Sequence, residues 1–224
     1  MGLELYLDLL SQPCRAVYIF AKKNNIPFTF KPVEVLKGEE GERFGKVNIL
    51  RRVPALKDGA FTLAESMAIL IYLSQKYKTP DHWYPSDIQR RARVDEYLSW
   101  QHVAIRANGV KLFWLKLAPE EKLQEAFEDL AVSLKQLEEK FLQDKPFIAG
   151  NRISLADLVA ITELMQPVAI GYNIFENRPK LSEWRSRVEK FVGKELLQEA
   201  RKVILSINDL SNMPLFKLFK TFGV

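Results

Sequence analysis

A β-strand that leads at once into an α-helix is encoded by residues 4–21, ELYLDLLSQPCRAVYIFA. From Glu4 to Asp8 polar and apolar side chains alternate, which is typical of a strand. Ser11 then supplies a candidate helix cap and Pro13 an early helical proline, and the apolar residues that follow recur at helical spacing. The pattern predicts a strand, a short connection and a helix.

The same mixture of periods continues to about Lys76. Residues Phe28 to Val35 are predicted to form a second strand, and a short helical stretch is expected around Gly41 to Val47. The pair Asp58-Gly59 lies between two apolar runs and predicts a β-hairpin, and a helix follows over about Ser66 to Tyr77. The strand–helix–strand part requires a parallel pair, while the hairpin adds antiparallel strands to the same sheet.

From about Asp87 onward the spacing of apolar residues is helical almost throughout. Helices are predicted near 87–116, 119–142, 154–171, 180–192 and 194–207. The clearest helix start is at Ser154, which has the spacing of a capping box with Asp157, while Ile153 is spaced to pack on Leu158. We predict an α+β chain with an α/β domain over 1–78, a linker over 79–86 and an all-helical domain over 87–224.

Composition and net charge limit the classes of protein to which this chain can belong. The chain has 224 residues, 47% of them hydrophobic, which is enough to fill ordinary buried cores. The net charge is +5, but basic and acidic residues are interleaved, so we expect no nucleic-acid partner. The sequence contains neither a signal peptide nor an apolar run long enough for a transmembrane segment, so we expect a soluble, cytoplasmic protein.

Cysteine and histidine are scarce. Cys14 is the one cysteine, so no internal disulfide can form, which fits a reducing compartment. The two histidines, His82 and His102, have no spacing with Cys14 that resembles a zinc site. The sequence therefore predicts no metal.

Five segments carry a resemblance to vertebrate chains of the theta class of cytosolic glutathione transferases. They are Met1 to Lys23, Val53 to Asp58, Trp83-Tyr84-Pro85, Ala92 to Tyr97 and Ile153 to Met165. The chain resembles that class over almost its whole length. The resemblance implies a thioredoxin-like first domain that binds glutathione and a helical-bundle second domain that shapes a pocket for small hydrophobic electrophiles. It further implies a homodimer with glutathione as co-substrate and no prosthetic group.

Ser11 matches the catalytic serine of the theta class, so the resemblance implies that it holds the sulfur of glutathione as a thiolate. A hydroxyl at a helix N-terminus lies beside free amides and the positive end of the helix dipole, where a thiolate is favoured. One charge-assisted hydrogen bond contributes about 1.5 to 3 kcal/mol, which lowers a thiol pKa by about one to two units. The alternative is that Ser11 only caps the helix.

Cys14 ends a Ser-Gln-Pro-Cys segment that is similar to the Cys-x-x-Cys redox site of thioredoxins with its first cysteine replaced. In such sites the first cysteine attacks and the later one is shielded, so we expect Cys14 to be packed and inert. The alternative function is a thiol oxidoreductase that uses Cys14.

The resemblance also carries glutathione contacts over to matching positions, which are Gln12, Glu40, Arg52, Val53, Pro54, Glu65 and Ser66. It implies a cis Val53–Pro54 bond that lets the Val53 backbone pair with the cysteinyl part of glutathione. At the γ-glutamyl end, Glu65 suits an ammonium group and Ser66, at a helix start, suits a carboxylate. Plain helix capping by Ser66 and plain solvent exposure of Glu65 are the alternatives.

Arg106 and Trp114 match residues of the theta-class electrophile pocket, where Arg106 is expected to hold an anionic leaving group. Ordinary helix packing and a surface ion pair are the alternatives for them. The chain departs from the class at Glu39 and Glu40, where acids replace the bases expected near the glycyl carboxylate of glutathione. These acids motivate a second hypothesis, in which a weakened transferase fold only binds hydrophobic ligands or a protein partner. The apolar tail over 213–222 is expected to cover the pocket or to pack on the helical domain.

Overall fold

A computed structural model describes residues 2–33, 44–115, 120–169 and 171–205, without the side chains of residues 113–122. Within these residues four strands form one sheet in the order β2-β1-β3-β4. The strands are β1 (Leu3–Leu7), β2 (Thr29–Pro32), β3 (Ala55–Asp58) and β4 (Phe61–Ala64). β2 is shorter than the strand predicted over 28–35. Of the helix predicted around 41–47, residues 44–47 are described, and of these 44–45 are helical and 46–47 form a turn.

The sheet is mixed, as the sequence predicts. β1 runs parallel to β2 and antiparallel to β3, with Leu5 opposite Phe30 on one side and Leu56 on the other. β3 and β4 form the predicted hairpin, but its two turn residues are Gly59 and Ala60, because Asp58 still pairs with Phe61 in the ladder. Gly59 has the positive φ of 63° that such a turn favours. The fold class is therefore confirmed for this part of the chain.

Two helices complete the first part of the chain. They are α1 (Gln12–Lys23) and α2 (Ser66–Lys76), and they contact each other. Every residue of α1 from Cys14 to Ala21 is buried, because the helix follows the central strand β1 and packs into the core. The strand and its helix therefore fix the position of the short connection between them, residues 8–11.

The rest of the described chain is helical. Its elements are α3 (Ile88–Gln101), a π-helical turn (His102–Arg106), α4 (Ala107–Leu115), α5 (Glu120–Gln136), a second π-helical turn (Leu137–Leu142), α6 (Leu155–Ala169), α7 (Pro179–Val192) and α8 (Lys194–Leu205). The predicted helices agree with these elements, but the π-helical turns were not predicted from the sequence. No helix among the described residues has the length and apolar character needed to cross a bilayer.

The chain divides into two compact units. One contains the residues up to Lys78 together with the last helix from Gln198 onward, and the other runs from Thr79 to Leu197. In the first unit the Tyr18 hydroxyl donates to the Glu199 carboxylate at 2.5 Å, which ties α8 to α1. The predicted domain over 87–224 includes α8, whose residues from Gln198 to Leu205 belong to the first compact unit.

The capping box at the start of α6 forms, with a different role for the serine. The Asp157 carboxylate accepts hydrogen bonds from the Ser154 backbone N–H at 2.9 Å and from the Ser154 hydroxyl at 3.2 Å. It also accepts from the Ile148 N–H and from the Trp184 indole, each at 2.8 Å. Burial raises the pKa of this carboxyl in spite of its four donors. Asp157 therefore accepts hydrogen bonds from three different residues and does more than cap the start of α6.

His82 and Trp83 pin the predicted linker against the helical unit. The imidazole Nδ1 of His82 lies 2.8 Å from the Ile153 carbonyl, and the Trp83 carbonyl accepts from the Leu155 N–H at 2.9 Å. The Phe191 ring packs edge-on against both aromatic rings. Because His82 is buried, its pKa is lowered from the ordinary value near 6.5.

This lowered pKa predicts a loss of stability in acid. The folded state binds the proton of His82 less readily than the unfolded chain, so the stabilisation is present above about pH 6.5 and is lost as the pH falls further, by up to about 1.4 kcal/mol per pH unit. We expect the urea unfolding midpoint to fall less between about pH 7.5 and about pH 5 in His82→Gln than in the wild type. His102→Gln is the matched control, because His102 is exposed; equal acid losses in both variants and the wild type would contradict the assignment.

Candidate active site

Ser11 is the N-cap residue of α1, with an extended backbone at φ −79° and ψ 128°. Its N–H donates to the Asp8 carbonyl at 3.0 Å, and its own carbonyl accepts the Arg15 N–H at 3.1 Å. The hydroxyl makes no capping hydrogen bond to the helix. Simple helix capping therefore does not account for this side chain, which is half-buried and lies beside the first amides of α1.

Arg15 holds the connection that carries Ser11. Its guanidinium is 1% exposed, and Nη1 donates to the carbonyls of Leu9 and Leu10 at 2.9 and 2.8 Å. Without these bonds two carbonyls near the core would lose their donor partner, at a cost of about 1 to 3 kcal/mol each. The sequence analysis missed Arg15, although a lone arginine within the apolar series of α1 was the available signal.

Cys14 has the environment of an inert thiol. It is fully buried, and this burial raises its pKa to about 12, although a hydrogen bond with the Ser11 side chain and the charge of Arg15 act in the opposite direction. At neutral pH the thiol is protonated, whereas attack on a disulfide requires the thiolate. The structure therefore argues against the oxidoreductase hypothesis.

The segment before β3 exposes an unpaired backbone. The Val53–Pro54 bond is cis, as the resemblance implies. The Val53 side chain packs against the buried cluster of Val33, Phe44 and Ala55, and within the described residues its backbone N–H and C=O have no hydrogen-bond partner. An extended residue with both groups unpaired can bind another extended peptide through two hydrogen bonds.

Asn48 fixes the loop that leads into Val53, and the sequence analysis missed it. Its side-chain N–H donates to the Arg52 carbonyl at 2.8 Å, and its Oδ1 accepts the Leu50 N–H at 3.1 Å. Asn48 is 7% exposed, so it belongs to the interior of the loop. The Arg52 side chain is exposed, as a residue that reaches for a ligand must be.

Glu65 and Ser66 form the start of α2. Glu65 is the N-cap residue and has φ 69° and ψ 114°, a conformation that L-residues rarely adopt. Strained conformations of this kind are found at ligand clamps. Its side chain is exposed, whereas Ser66 is only 4% exposed and begins the helix. The pair thus presents a carboxylate and a set of free amides at one helix end.

The other predicted site residues differ in what the structure shows of them. Gln12 is buried beside Ser11, and among the described residues its side-chain Nε2 has no hydrogen-bond partner. Glu40 lies outside the described residues, as do Glu39 and the tail. Trp114 lies in α4, but its side chain is outside the described part of the structure.

Arg106 ends the first π-helical turn of the second unit. Its Nε and Nη2 both donate to Oε1 of Glu163, at 2.9 and 2.6 Å, and Glu163 is 1% exposed. The ion pair is therefore buried on one side, and the plain alternative of a surface ion pair is wrong. Glu163 was missed by the sequence analysis, because no spacing links a residue of α6 to one 57 positions earlier.

Comparisons with known proteins connect these features to one family. A family model of the glutathione S-transferase N-terminal domain matches residues 5–81, and one of the C-terminal domain matches residues 102–190. The chain is 59% identical to glutathione S-transferase theta-1 of Gallus gallus, over 95% of this chain and 93% of that protein.

Two human structures are similar in fold as well as in sequence. Apo glutathione S-transferase T1-1 is 57% identical with a TM-score of 0.91, over 93% of this chain and 91% of that one. A human theta-class glutathione transferase in complex with the glutathione conjugate of 1-menaphthyl sulfate is 55% identical with a TM-score of 0.88, over 92% and 88%.

The buried state of Cys14 predicts an unreactive thiol. In native protein at neutral pH we expect an aromatic disulfide reagent to label Cys14 at least about a hundredfold more slowly than in urea, because the thiol is both inaccessible and protonated. The spectrophotometric count of released thiolate is the measurement, and the unfolded chain should give one equivalent from its single cysteine. Rapid labelling of the folded protein would contradict the assignment.

Proposed function

The chain belongs to the theta class of the glutathione S-transferases, and we propose that Ser11 is the residue that keeps the sulfur of bound glutathione as a thiolate. The observation that carries the proposal is the N-cap hydroxyl that caps nothing. With a halide or a sulfate ester the thiolate attacks the electrophilic carbon, a C–S bond forms, and the leaving group departs with the electron pair of the broken bond. Ser11 acts by favouring the ionised sulfur before that step.

The protonation state of Cys14 supports this role for the neighbouring hydroxyl. Since the Cys14 thiol keeps its proton at neutral pH, its sulfur is only a weak acceptor for the Ser11 O–H that lies within hydrogen-bonding reach. The Ser11 O–H is then left to donate to a second sulfur. Together with the amides at the start of α1, this gives a bound thiolate at least one charge-assisted donor.

We propose that the tripeptide is held along its length by the residues that the resemblance carried over. The unpaired N–H and C=O of Val53 suit the cysteinyl backbone, with Pro54 keeping Val53 extended. The Glu65 carboxylate suits the α-ammonium group and the helix start at Ser66 the α-carboxylate. Gln12, Glu40 and Arg52 are proposed as further glutathione contacts.

The proposed electrophiles are alkyl and arylmethyl halides, epoxides, organic hydroperoxides and sulfate esters. The human theta-class structure that holds the glutathione conjugate of 1-menaphthyl sulfate supports the last of these. Arg106 is proposed to bind the anionic leaving group and Trp114 to line the pocket. We also propose a cytoplasmic homodimer, which predicts a mass by light scattering of twice the 25.9 kDa of one chain.

The Ser11 assignment predicts a change in acidity of the bound ligand. In Ser11→Ala the pKa of enzyme-bound glutathione should rise by about one to two units, because one charge-assisted hydrogen bond is lost. At neutral pH kcat should then fall by about ten- to a hundredfold, with the Kd of glutathione changed by less than about threefold. A titration of thiolate absorbance against pH measures the pKa directly.

Ser66→Ala is the matched control at the other end of the ligand. We expect it to raise the Kd of glutathione by about threefold to thirtyfold and to leave the pKa of the bound thiol unchanged. Calorimetric titration gives the two dissociation constants. If the thiol pKa in Ser11→Ala equals that of the wild type, the catalytic assignment is wrong.

A further inference from the structure

The Arg106 guanidinium is hydrogen-bonded to Glu163 along one edge, and its remaining N–H donors are available to a ligand. Of its five N–H donors, the Nε–H and one N–H of Nη2 go to the same oxygen of Glu163. Within the described residues the other three donors have no protein partner, and the side chain is 17% exposed. The open donors belong to Nη1 and Nη2, which form the end of the fork that suits a sulfate or carboxylate.

Glu163 is built to set the direction of that fork. It lies on the buried helix α6, its side chain is 1% exposed, and its Oε2 has no hydrogen-bond partner among the described residues. Both donors converge on Oε1, so the contact constrains the guanidinium from one side and leaves the opposite end clear.

The π-helical turn that ends at Arg106 adds a second constraint. A π-helical turn inserts one residue into an α-helix, which rotates the following side chains by about 100° relative to an uninterrupted helix. Arg106 is the last residue of such a turn, and its guanidinium meets the Glu163 carboxylate from there. Turns of this type are frequent at functional sites.

We propose that Glu163 is a positioning residue that aims the open end of the Arg106 guanidinium at substrates that are already anionic, and so sets the preference for sulfate esters over halides of the same carbon skeleton. The inference rests on the proposed function and deepens it. The Arg106–Glu163 pair has no net charge, so it attracts an anion weakly at a distance. Binding therefore depends on the direction of the fork rather than on bulk positive charge.

The reaction itself is a substitution at carbon in both substrate classes. The glutathione thiolate supplies the electron pair of the new C–S bond. With an arylmethyl sulfate the C–O bond breaks and sulfate dianion leaves; with an arylmethyl chloride the C–Cl bond breaks and chloride leaves. The sulfate ester carries its negative charge before the reaction, whereas the chloride is neutral, so only the ester needs an oriented anion site in the ground state.

Two variants separate direction from charge. Glu163→Gln keeps the length of the side chain and an oxygen acceptor but loses the charge. Glu163→Asp keeps the charge but is one methylene shorter. With 1-menaphthyl sulfate we expect KM to rise by about tenfold or more in Glu163→Asp and to stay within about threefold of wild type in Glu163→Gln. With 1-menaphthyl chloride both variants should stay within about threefold in KM and kcat.

Each outcome decides the inference. The reverse order, with Asp tolerated and Gln impaired, would mean that charge rather than direction matters and would overturn it. Equal losses with both substrates would mean a general structural role, and no loss in either variant would mean no role; both overturn it. Urea midpoints of the two variants identify any loss of folding.

The failure of the proposed function gives a different pattern. If Ser11 does not activate glutathione, Ser11→Ala keeps its turnover with both menaphthyl substrates, whatever the Glu163 variants do. A wild-type protein that converts the chloride but not the sulfate ester would overturn the role of Glu163 and leave the Ser11 proposal standing.

Discussion

The proposed chemistry of this chain depends on the buried Arg15 guanidinium, which satisfies the carbonyls of Leu9 and Leu10. The connection between β1 and α1 must enter the interior without leaving polar groups unpaired. Because Arg15 supplies the donors, the backbone there does not need the Ser11 side chain as a partner. The Ser11 O–H makes no capping hydrogen bond at this helix start, where amides and the helix dipole favour an anion. A structural hydrogen bond in the core therefore frees a functional group at the surface.

The helical unit uses a second arginine in a different way. Arg15 is almost completely buried, and its Nη1 donates to the backbone carbonyls of Leu9 and Leu10. Arg106 is bound on one side by a buried carboxylate and is partly exposed on the other. A guanidinium suits both tasks because its donors are fixed in one plane, so that anchoring some of them sets the direction of the rest. A lysine ammonium has no such fixed fork and would not be oriented by Glu163 in the same way.

The sequence predicted the order of strands and helices because those depend on local patterns. The hairpin turn that begins at Gly59, the capping spacing of Ser154 and the apolar periods are all encoded within a few residues. The residues that position the site were missed for the opposite reason. Asn48 fixes the shape of a loop, and loops have no periodic sequence signal. Glu163 and Arg106 are 57 positions apart in the sequence and come together only when the helices pack. The family resemblance assigned roles only to residues at matching positions, so it did not identify the residues that support them.

In the proposed function the glutathione sulfur is ionised while the Cys14 sulfur stays neutral, and the first turn of α1 lies beside both. Cys14 points into the core, where burial raises its pKa to about 12 and keeps its proton in place at neutral pH. Ser11 lies three positions earlier, half-buried at the N-cap, where free amides stabilise a negative charge. In the proposed function, the amides at the start of α1 favour an ionised ligand sulfur beside Ser11, while the buried face of the same helix keeps the Cys14 thiol neutral. Because the neutral thiol neither competes for the electrophile nor adds a repelling charge, the inertness of Cys14 is part of what makes the neighbouring position suitable for a thiolate.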